Sequence, residues 1–355
     1  MKKVLLLATC PFKHDGITKI EQKVIEYCKN YVQIEVACGY IIESEYRNYF
    51  ERERVRYHQM PTKKKIIQYI NGIKTLVKNG KYDVVYIHGN SALMLIEVLA
   101  SKWGKVSKVI THCHNTSSNY LFLHYLVKPI FSTLVDIKIG CSELASRWAY
   151  CGNNFISIVN GIDIINYQYD EDIRLIVKKK LGWNVENKVV GHIGRFNKQK
   201  NHKKIISIFE EYHKIDNSAR LLLIGEGELK REIYDAVEKK KLLEYVKFIS
   251  VTDAPQDYMQ AMDIMIMPSL YEGLGLVAIE AQANSLPILI SNNFPREACS
   301  TELVRVVDLK QSDSEWCKHI VEATRGGRKD VTSQLYKAGY DSAIMLNKIT
   351  EILIN

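Results

Sequence analysis

Two carboxylates with seven residues between them, Glu272 and Glu280, stand in the stretch SLYEGLGLVAIEAQANSLPILIS, which runs from Ser269 to Ser291. Before it, MDIMIMP reads as a strand ending at Pro268, and a helix is expected from about Leu274–Leu276 to about Asn284. Gly273 and Gly275 let a ligand approach the backbone closely, and the N–H groups at a helix start attract anions. Gly273, Leu274, Gly275 and Leu276 therefore read as a phosphate cradle. A carboxylate has two acceptor oxygens, so Glu280 can hold both hydroxyls of a cis-diol such as a ribose. Taken singly, the two glutamates could equally be a charge at the helix start and a solvated helix residue. Their neighbours Val277, Ile279 and Ala281 are apolar or small, so the helix is expected to be buried, and a buried carboxylate needs a partner.

These residues have to be held by something, and the rest of the chain supplies a repeating frame. VLLLATC, IEVAC (34–38), YDVVYIH (82–88), KVITHC (108–113), VDIKIGC (135–141) and FISIV (155–159) are short β-branched runs separated by helical stretches. They do not alternate polar with apolar, which is how strands buried on both faces read. The rhythm resets near Asn160-Gly161-Ile162-Asp163. It restarts with NKVVGHIG (187–194), ARLLLIG (219–225), YVKFISV (245–251), MDIMIMP (262–268), LPILIS (286–291) and VRVV (304–307). Strand–helix alternation predicts parallel sheets with helices on both sides. We expect an α/β chain of two doubly wound, Rossmann-like domains, residues 1–162 and 163–335. A last amphipathic helix, within 336–355, either caps the second domain or returns to the first.

At this point a family resemblance is carried by particular residues. The pattern E-G-x-G-x-x-x-x-E after a strand ending in P-S, followed by E-A-x-A-x-x-L-P, resembles the signature of retaining glycosyltransferases of family 4. The resemblance implies the GT-B fold, two facing Rossmann-like domains with a cleft between, and implies that Glu272 contacts the donor sugar and Glu280 the donor ribose. Gly194-Arg195-Phe196-Asn197-Lys198-Gln199-Lys200-Asn201 lies between the strand VVGHI and the helix HKKIISIFEEYHK. The family has an arginine and a lysine at this spacing, which implies Arg195 and Lys200 as the clamp on the departing diphosphate, with Gly194 beside them. Negative charge builds on that group as the sugar bond breaks, and either a metal or fixed cations must meet it. No D-x-D stands at a strand end, so the cations are expected to act without a metal or cofactor. An exposed basic loop is the alternative, and Lys198 is the lysine expected to face solvent.

In the first half, the loop CPFKHDGITK follows the first strand. Where the family carries two adjacent glycines this chain has Asp15-Gly16, so Gly16 alone is a donor-phosphate candidate. KVITHCHNTSS ends a strand with His112 and His114. The resemblance to H-x-H-N sequences of bacterial exopolysaccharide and capsule enzymes implies His114 as the residue near the donor sugar, with His112 turned into the sheet. An H-x-H pair can also ligate a metal, since alternate strand residues share a side, but the sequence shows no third ligand. Gly225-Glu226-Gly227-Glu228 is expected to line the nucleotide pocket through Glu226, and Ser250 and Val251 to reach the base.

Composition narrows the rest. The net charge is +9, and residues 1–160 carry +10 of it against −1 for residues 161–355. Arg47, Arg52, Arg54, Arg56 and Lys63–Lys65 are interleaved with Tyr46, Tyr49, Phe50 and Tyr57, and YLFLHYLVKPIFSTL (120–134) is apolar and aromatic. Such a pairing suits either a solvated charged face or contact with an anionic membrane. No RNA- or DNA-binding module accompanies it, so a nucleic-acid partner is not expected. The eight cysteines form no C-x-x-C pair, and reduced thiols in a cytoplasmic protein, peripheral to the inner face of the cell membrane, are expected. No run approaches the length needed to span a bilayer, no signal peptide is read at Lys2-Lys3-VLLLA, and no G-x-G-x-x-G of a dehydrogenase follows any strand.

The sequence thus predicts a GT-B glycosyltransferase. It would move a hexose or N-acetylhexosamine, with retention, from a nucleotide sugar such as a UDP-sugar to a lipid-linked glycan in capsular or extracellular polysaccharide synthesis. Two alternatives stand beside it: a sugar-nucleotide epimerase or hydrolase of the same fold, and a non-catalytic partner subunit.

Overall fold

The computed structural model describes residues 1–13, 16–250, 252 and 254–355. The chain divides into two compact units, residues 1–161 with 343–355, and residues 162–342.

The first unit runs β1 (Lys3–Ala8), α1 (Gly16–Cys28), β2 (Gln33–Cys38), α2 (Ser44–Arg52), β3 (Arg56–Gln59), α3 (Ile66–Gly80), β4 (Val84–Gly89), α4 (Leu95–Trp103), β5 (Lys108–Cys113), α5 (Leu121–Leu134), β6 (Ile137–Gly140), α6 (Glu143–Ala149) and β7 (Ile156–Ser157). Its seven strands are parallel, in the order β3-β2-β1-β4-β5-β6-β7. Leu5, Leu7, Val85, Ile87 and Val109 pack into one core layer. The residues between them, Val4, Leu6, Tyr86 and Ile110, are equally buried, and by strand alternation they face the other side. Full burial of both faces explains the unbroken apolar runs.

The second unit contains α7 (Glu171–Lys180), β8 (Val189–Ile193), α8 (His202–Ile215), β9 (Arg220–Ile224), α9 (Lys230–Lys239), β10 (Val246–Ile249), α10 (Pro255–Ala261), β11 (Ile264–Met267), α11 (Leu276–Ala283), β12 (Ile288–Ser291), β13 (Val304–Val307), α12 (Asp313–Arg325) and α13 (Thr332–Lys337). Its parallel strands lie in the order β10-β9-β8-β11-β12-β13. Along β9, Leu221 and Leu223 join one core cluster while Leu222 and Ile224 join the other. The chain winds outward from β8 and then crosses to β11 on β8's other side. That crossing creates a switch point between the ends of β8 and β11, where ligands bind in open α/β sheets.

Three features go beyond the sequence reading. The strand β3 carries no sequence signal: RYHQ is a half-exposed edge strand, with none of the apolar pattern of a central one. Within the basic stretch, Tyr46, Tyr49 and Phe50 are core residues and Lys63 is bound to the buried carboxylate of Glu97 at 2.6 Å, so the charges stand on a folded apolar layer. The final amphipathic segment is two helices, α13 and α14 (Ser342–Ile354). α14 packs on α1 through Tyr27–Asn347 at 2.5 Å and Cys28–Thr350 at 3.3 Å.

Candidate active site

In the second unit, the loop after β8 is tied to the loop after β11. Asn201 donates to the carbonyl of Pro268 at 3.1 Å, and the Leu270 N–H donates to the carbonyl of Gln199 at 2.8 Å. Gln199 donates in turn to the carbonyl of Tyr271 at 3.0 Å and to a carboxylate oxygen of Glu272 at 3.2 Å. The other oxygen of Glu272 receives the Lys200 ammonium at 2.6 Å. Both partners are sequestered, their side chains 13% and 6% exposed for Lys200 and Glu272. The two residues singled out separately are therefore one buried ion pair at the switch point, held by an amide that fixes the carboxylate's orientation.

Helix α11 opens beside this pair. The Ala278 N–H donates to the Gly275 carbonyl at 2.8 Å, which leaves Leu276 and Val277 as the N–H groups that a helix start presents without an intrahelical acceptor, and Gly275 offers no side-chain cap. Gly275 has φ 79°, and a Cβ there would sit 2.4 Å from the Phe294 ring. Only glycine satisfies both constraints. Gly273 and Leu274 are buried, and Leu276 is half-buried. One turn along, Glu280 is 5% exposed. The hydroxyl of Tyr167 bonds to Glu280, and burial together with this carboxylate raises the tyrosine's pKa well above its ordinary value. Sequence reading missed Tyr167, which lies more than a hundred positions upstream in a polar, tyrosine-rich stretch.

Arg195 is placed differently. It is 54% exposed and reaches Glu228 at 3.2 Å, so in this structure its partner is the glycine-rich loop after β9. That loop lies against the Arg195 loop, with Phe196 N–H donating to the Glu226 carbonyl at 2.8 Å. A Cβ on Gly225 would come within 2.1 Å of the Gly194 carbonyl oxygen, and one on Gly227 within 2.3 Å of that of Phe196. Glu226 bonds to Lys230 at 2.5 Å. Lys230 and the exposed Ser250 hold its carboxyl below the usual range. Val251 lies outside the described residues.

In the first unit, Gly16 is exposed at the start of α1. His114 follows β5 and is 8% exposed. Its Nε2 lies 3.0 Å from Nδ1 of His88, at the end of β4. His112, in register with His88 across the β4–β5 pair, is fully buried with its ring 4.1 Å from that of His114. The third imidazole that sequence reading did not find is thus His88. Its signal was the strand-end histidine of YDVVYIH, which becomes meaningful only once β4 and β5 are known to be neighbours. Burial drives the pKa of all three rings down, to about 3 for His114, so all three are neutral near pH 7.

The arrangement in the second unit, a caged cation–carboxylate pair beside an uncapped helix start, is suited to receiving a phosphorylated ligand. Comparison with known proteins shows what the chain as a whole resembles. Residues 174–305 match the family model of glycosyl transferases group 1, and residues 3–135 match that of glycosyl transferase 4-like proteins. EpsF of Bacillus subtilis (strain 168), named as a glycosyltransferase, is 27% identical over 292 residues, 78% of this chain and 76% of that one. An Escherichia coli UDP-Gal:alpha-D-GlcNAc-diphosphoundecaprenol alpha-1,3-galactosyltransferase is 25% identical over 68% of this chain and 67% of its own. Anabaena HepE, crystallised with UDP and glucose, superposes with a TM-score of 0.83 at 17% identity, covering 99% of both chains. With one doubly wound unit matched by the model of glycosyl transferase 4-like proteins and the other by that of glycosyl transferases group 1, this chain is a glycosyltransferase of GT-B fold.

Proposed function

We propose that this enzyme is a retaining hexosyl- or N-acetylhexosaminyltransferase of family 4 that uses a UDP-sugar and builds a bacterial surface polysaccharide on a lipid-linked acceptor. The observation that carries the reading is the Lys200–Glu272 pair at 2.6 Å at the β8–β11 switch point. Relatives support the chemistry: one acts on a diphosphoundecaprenol-linked sugar, and another is an O-antigen biosynthesis glycosyltransferase. The nucleotide diphosphate is assigned to the second unit. Lys200, Arg195 and the opening N–H groups of α11 meet its charge, Glu280 with Tyr167 holds the ribose hydroxyls, and Glu226 and Ser250 border the base. Glu272 orients Lys200 and accepts from hydroxyls of the donor sugar. His114 is assigned to the donor sugar from the first unit.

In the proposed reaction the bond between the anomeric carbon and the phosphate oxygen breaks, and its electron pair leaves on the diphosphate. The acceptor hydroxyl oxygen forms the new bond on the same face. Its proton passes to the departing phosphate oxygen, so no protein nucleophile is required. Charge develops on the diphosphate in the transition state, and fixed cations and backbone dipoles that need no reorganisation stabilise it most there.

A membrane-bound acceptor is supported by α5. Tyr120, Leu121, Phe122, Tyr125, Leu126 and Ile130 are all more than half exposed, an unusual density of large apolar groups on one surface helix. Together with the excess positive charge of the first half, this suits attachment to an anionic membrane. Among the described residues no helix is long and apolar enough to cross a membrane.

The test is a thermal-shift screen of nucleotide sugars on the wild-type enzyme and on Arg195→Ala, followed by product analysis by NMR with a lipid-linked acceptor. A UDP-sugar is expected to raise the wild-type midpoint and to lose most of that effect in the variant. The product should keep the donor's anomeric configuration. No stabilisation by any nucleotide sugar, or an inverted product, overturns the assignment. Release of free or epimerised sugar without acceptor would favour the epimerase instead.

A further inference from the structure

The three histidines of the first unit form a cluster that the transferase reading uses only in part. The in-register pairing of His88 with His112 sets both rings on one side of the sheet, and His114, two residues beyond His112, joins them. One ring nitrogen from each lies within 4.8 Å of the others. His88 and His112 are 0% exposed and His114 8%. Each ring also has one nitrogen already engaged: His112 Nδ1 with the Tyr86 hydroxyl at 2.8 Å, and His114 Nε2 with His88 Nδ1 at 3.0 Å. The remaining nitrogens, His88 Nε2, His112 Nε2 and His114 Nδ1, are buried with no hydrogen-bond partner among the described residues. What sets this cluster apart is that three buried rings converge, and an ion held by all three would take the place of the His114–His88 contact, whose 3.0 Å separation suits two nitrogens on one metal.

We infer that His88, His112 and His114 form a binding site for a single divalent transition-metal ion of the zinc class. Three imidazoles are a donor set that zinc accepts, with a fourth position left for water or another oxygen ligand. The Tyr86 hydroxyl on His112 is the kind of outer contact that fixes the orientation and tautomer of a metal-bound histidine. The inference rests on this cluster alone and is independent of the donor assignment in the second unit.

The probe is cobalt(II), added to the full chain after chelator treatment and dialysis, with zinc(II) as competitor. One equivalent of cobalt should produce a visible absorption band, zinc should abolish it, and zinc should raise the thermal midpoint. His88→Gln and, separately, His114→Asn should weaken cobalt binding at least tenfold, while His319→Ala, on the other unit, should leave it unchanged. Circular dichroism of each metal-free variant checks the fold, and the second variant decides if the first is misfolded. Wild-type protein that takes up no cobalt at equimolar concentration overturns the site. So does a band that survives in both cluster variants or disappears in His319→Ala.

Discussion

The two units bury polar groups at corresponding places, the carboxyl ends of their central strands, but by opposite means. The second unit buries charge, and does so as a pair: Lys200 and Glu272 at 2.6 Å. The first buries imidazoles, and does so by keeping them neutral. Burial alone disfavours any ion, so a charged side chain stays charged inside only with an opposite partner, whereas histidine can shed its proton. One unit therefore holds standing charge at its strand ends, as a bonded pair. The other offers only lone pairs and N–H groups.

The comparison breaks most sharply at Lys200. Lys200→Met removes a cation from the site of developing charge, and kcat with nucleotide sugar and acceptor should fall about 10²–10³-fold, the scale seen when one oriented donor is lost. The same variant leaves Glu272 buried without its cation. Urea denaturation should show a stability loss of about 3 kcal/mol, the lower end of the range for a broken buried pair because Lys200 retains some exposure. Lys200→Met with Glu272→Gln should recover most of that stability and none of the activity. A double variant as unstable as the single would show that the pair's charge balance is not what matters.

Smaller effects sharpen the contrast. His202, buried at the start of α8, has its pKa pushed down to about 4 by burial and by Lys200. Its folded form stays neutral while the unfolded chain takes up a proton below about pH 6.5. The stability it contributes is thus complete above that pH and is lost as the pH falls toward 4, at about 1.4 kcal/mol per pH unit. His202→Phe should flatten the pH dependence of the urea midpoint between 6.5 and 4 by that amount. Glu280→Gln keeps an acceptor for Tyr167 but loses the charge, and should weaken UDP binding about tenfold in calorimetry. Arg195→Ala, at an exposed pair, should change stability by less than about 0.5 kcal/mol even though ligand-induced stabilisation is lost.

Twelve of the thirteen strands were legible because both faces of each sheet are covered and apolar runs mark them directly. The edge strand β3 was hidden because its half-exposed residues carry charge and aromatic signal instead. Glu272, Glu280, Arg195 and Lys200 were visible through their spacing within local loops. Their partnerships were not: Lys200 meets Glu272 across 72 positions, and Tyr167 meets Glu280 across a comparable gap. His88 stayed unread for the same reason, since its relation to His112 exists only through strand register. Sequence shows which residues have suitable chemistry near one another in the chain, and the winding of the sheet decides which distant ones join them.

The loop Gly225–Glu228 alternates closed and open positions. At 225 and 227 backbone carbonyls occupy the space a side chain would need, while 226 and 228 carry long carboxylates that reach Lys230 and Arg195. Variation in this loop is therefore confined to every second residue. Natural divergence or a directed library has two letters to change here, and each change also releases a cation that is at present held by a glutamate.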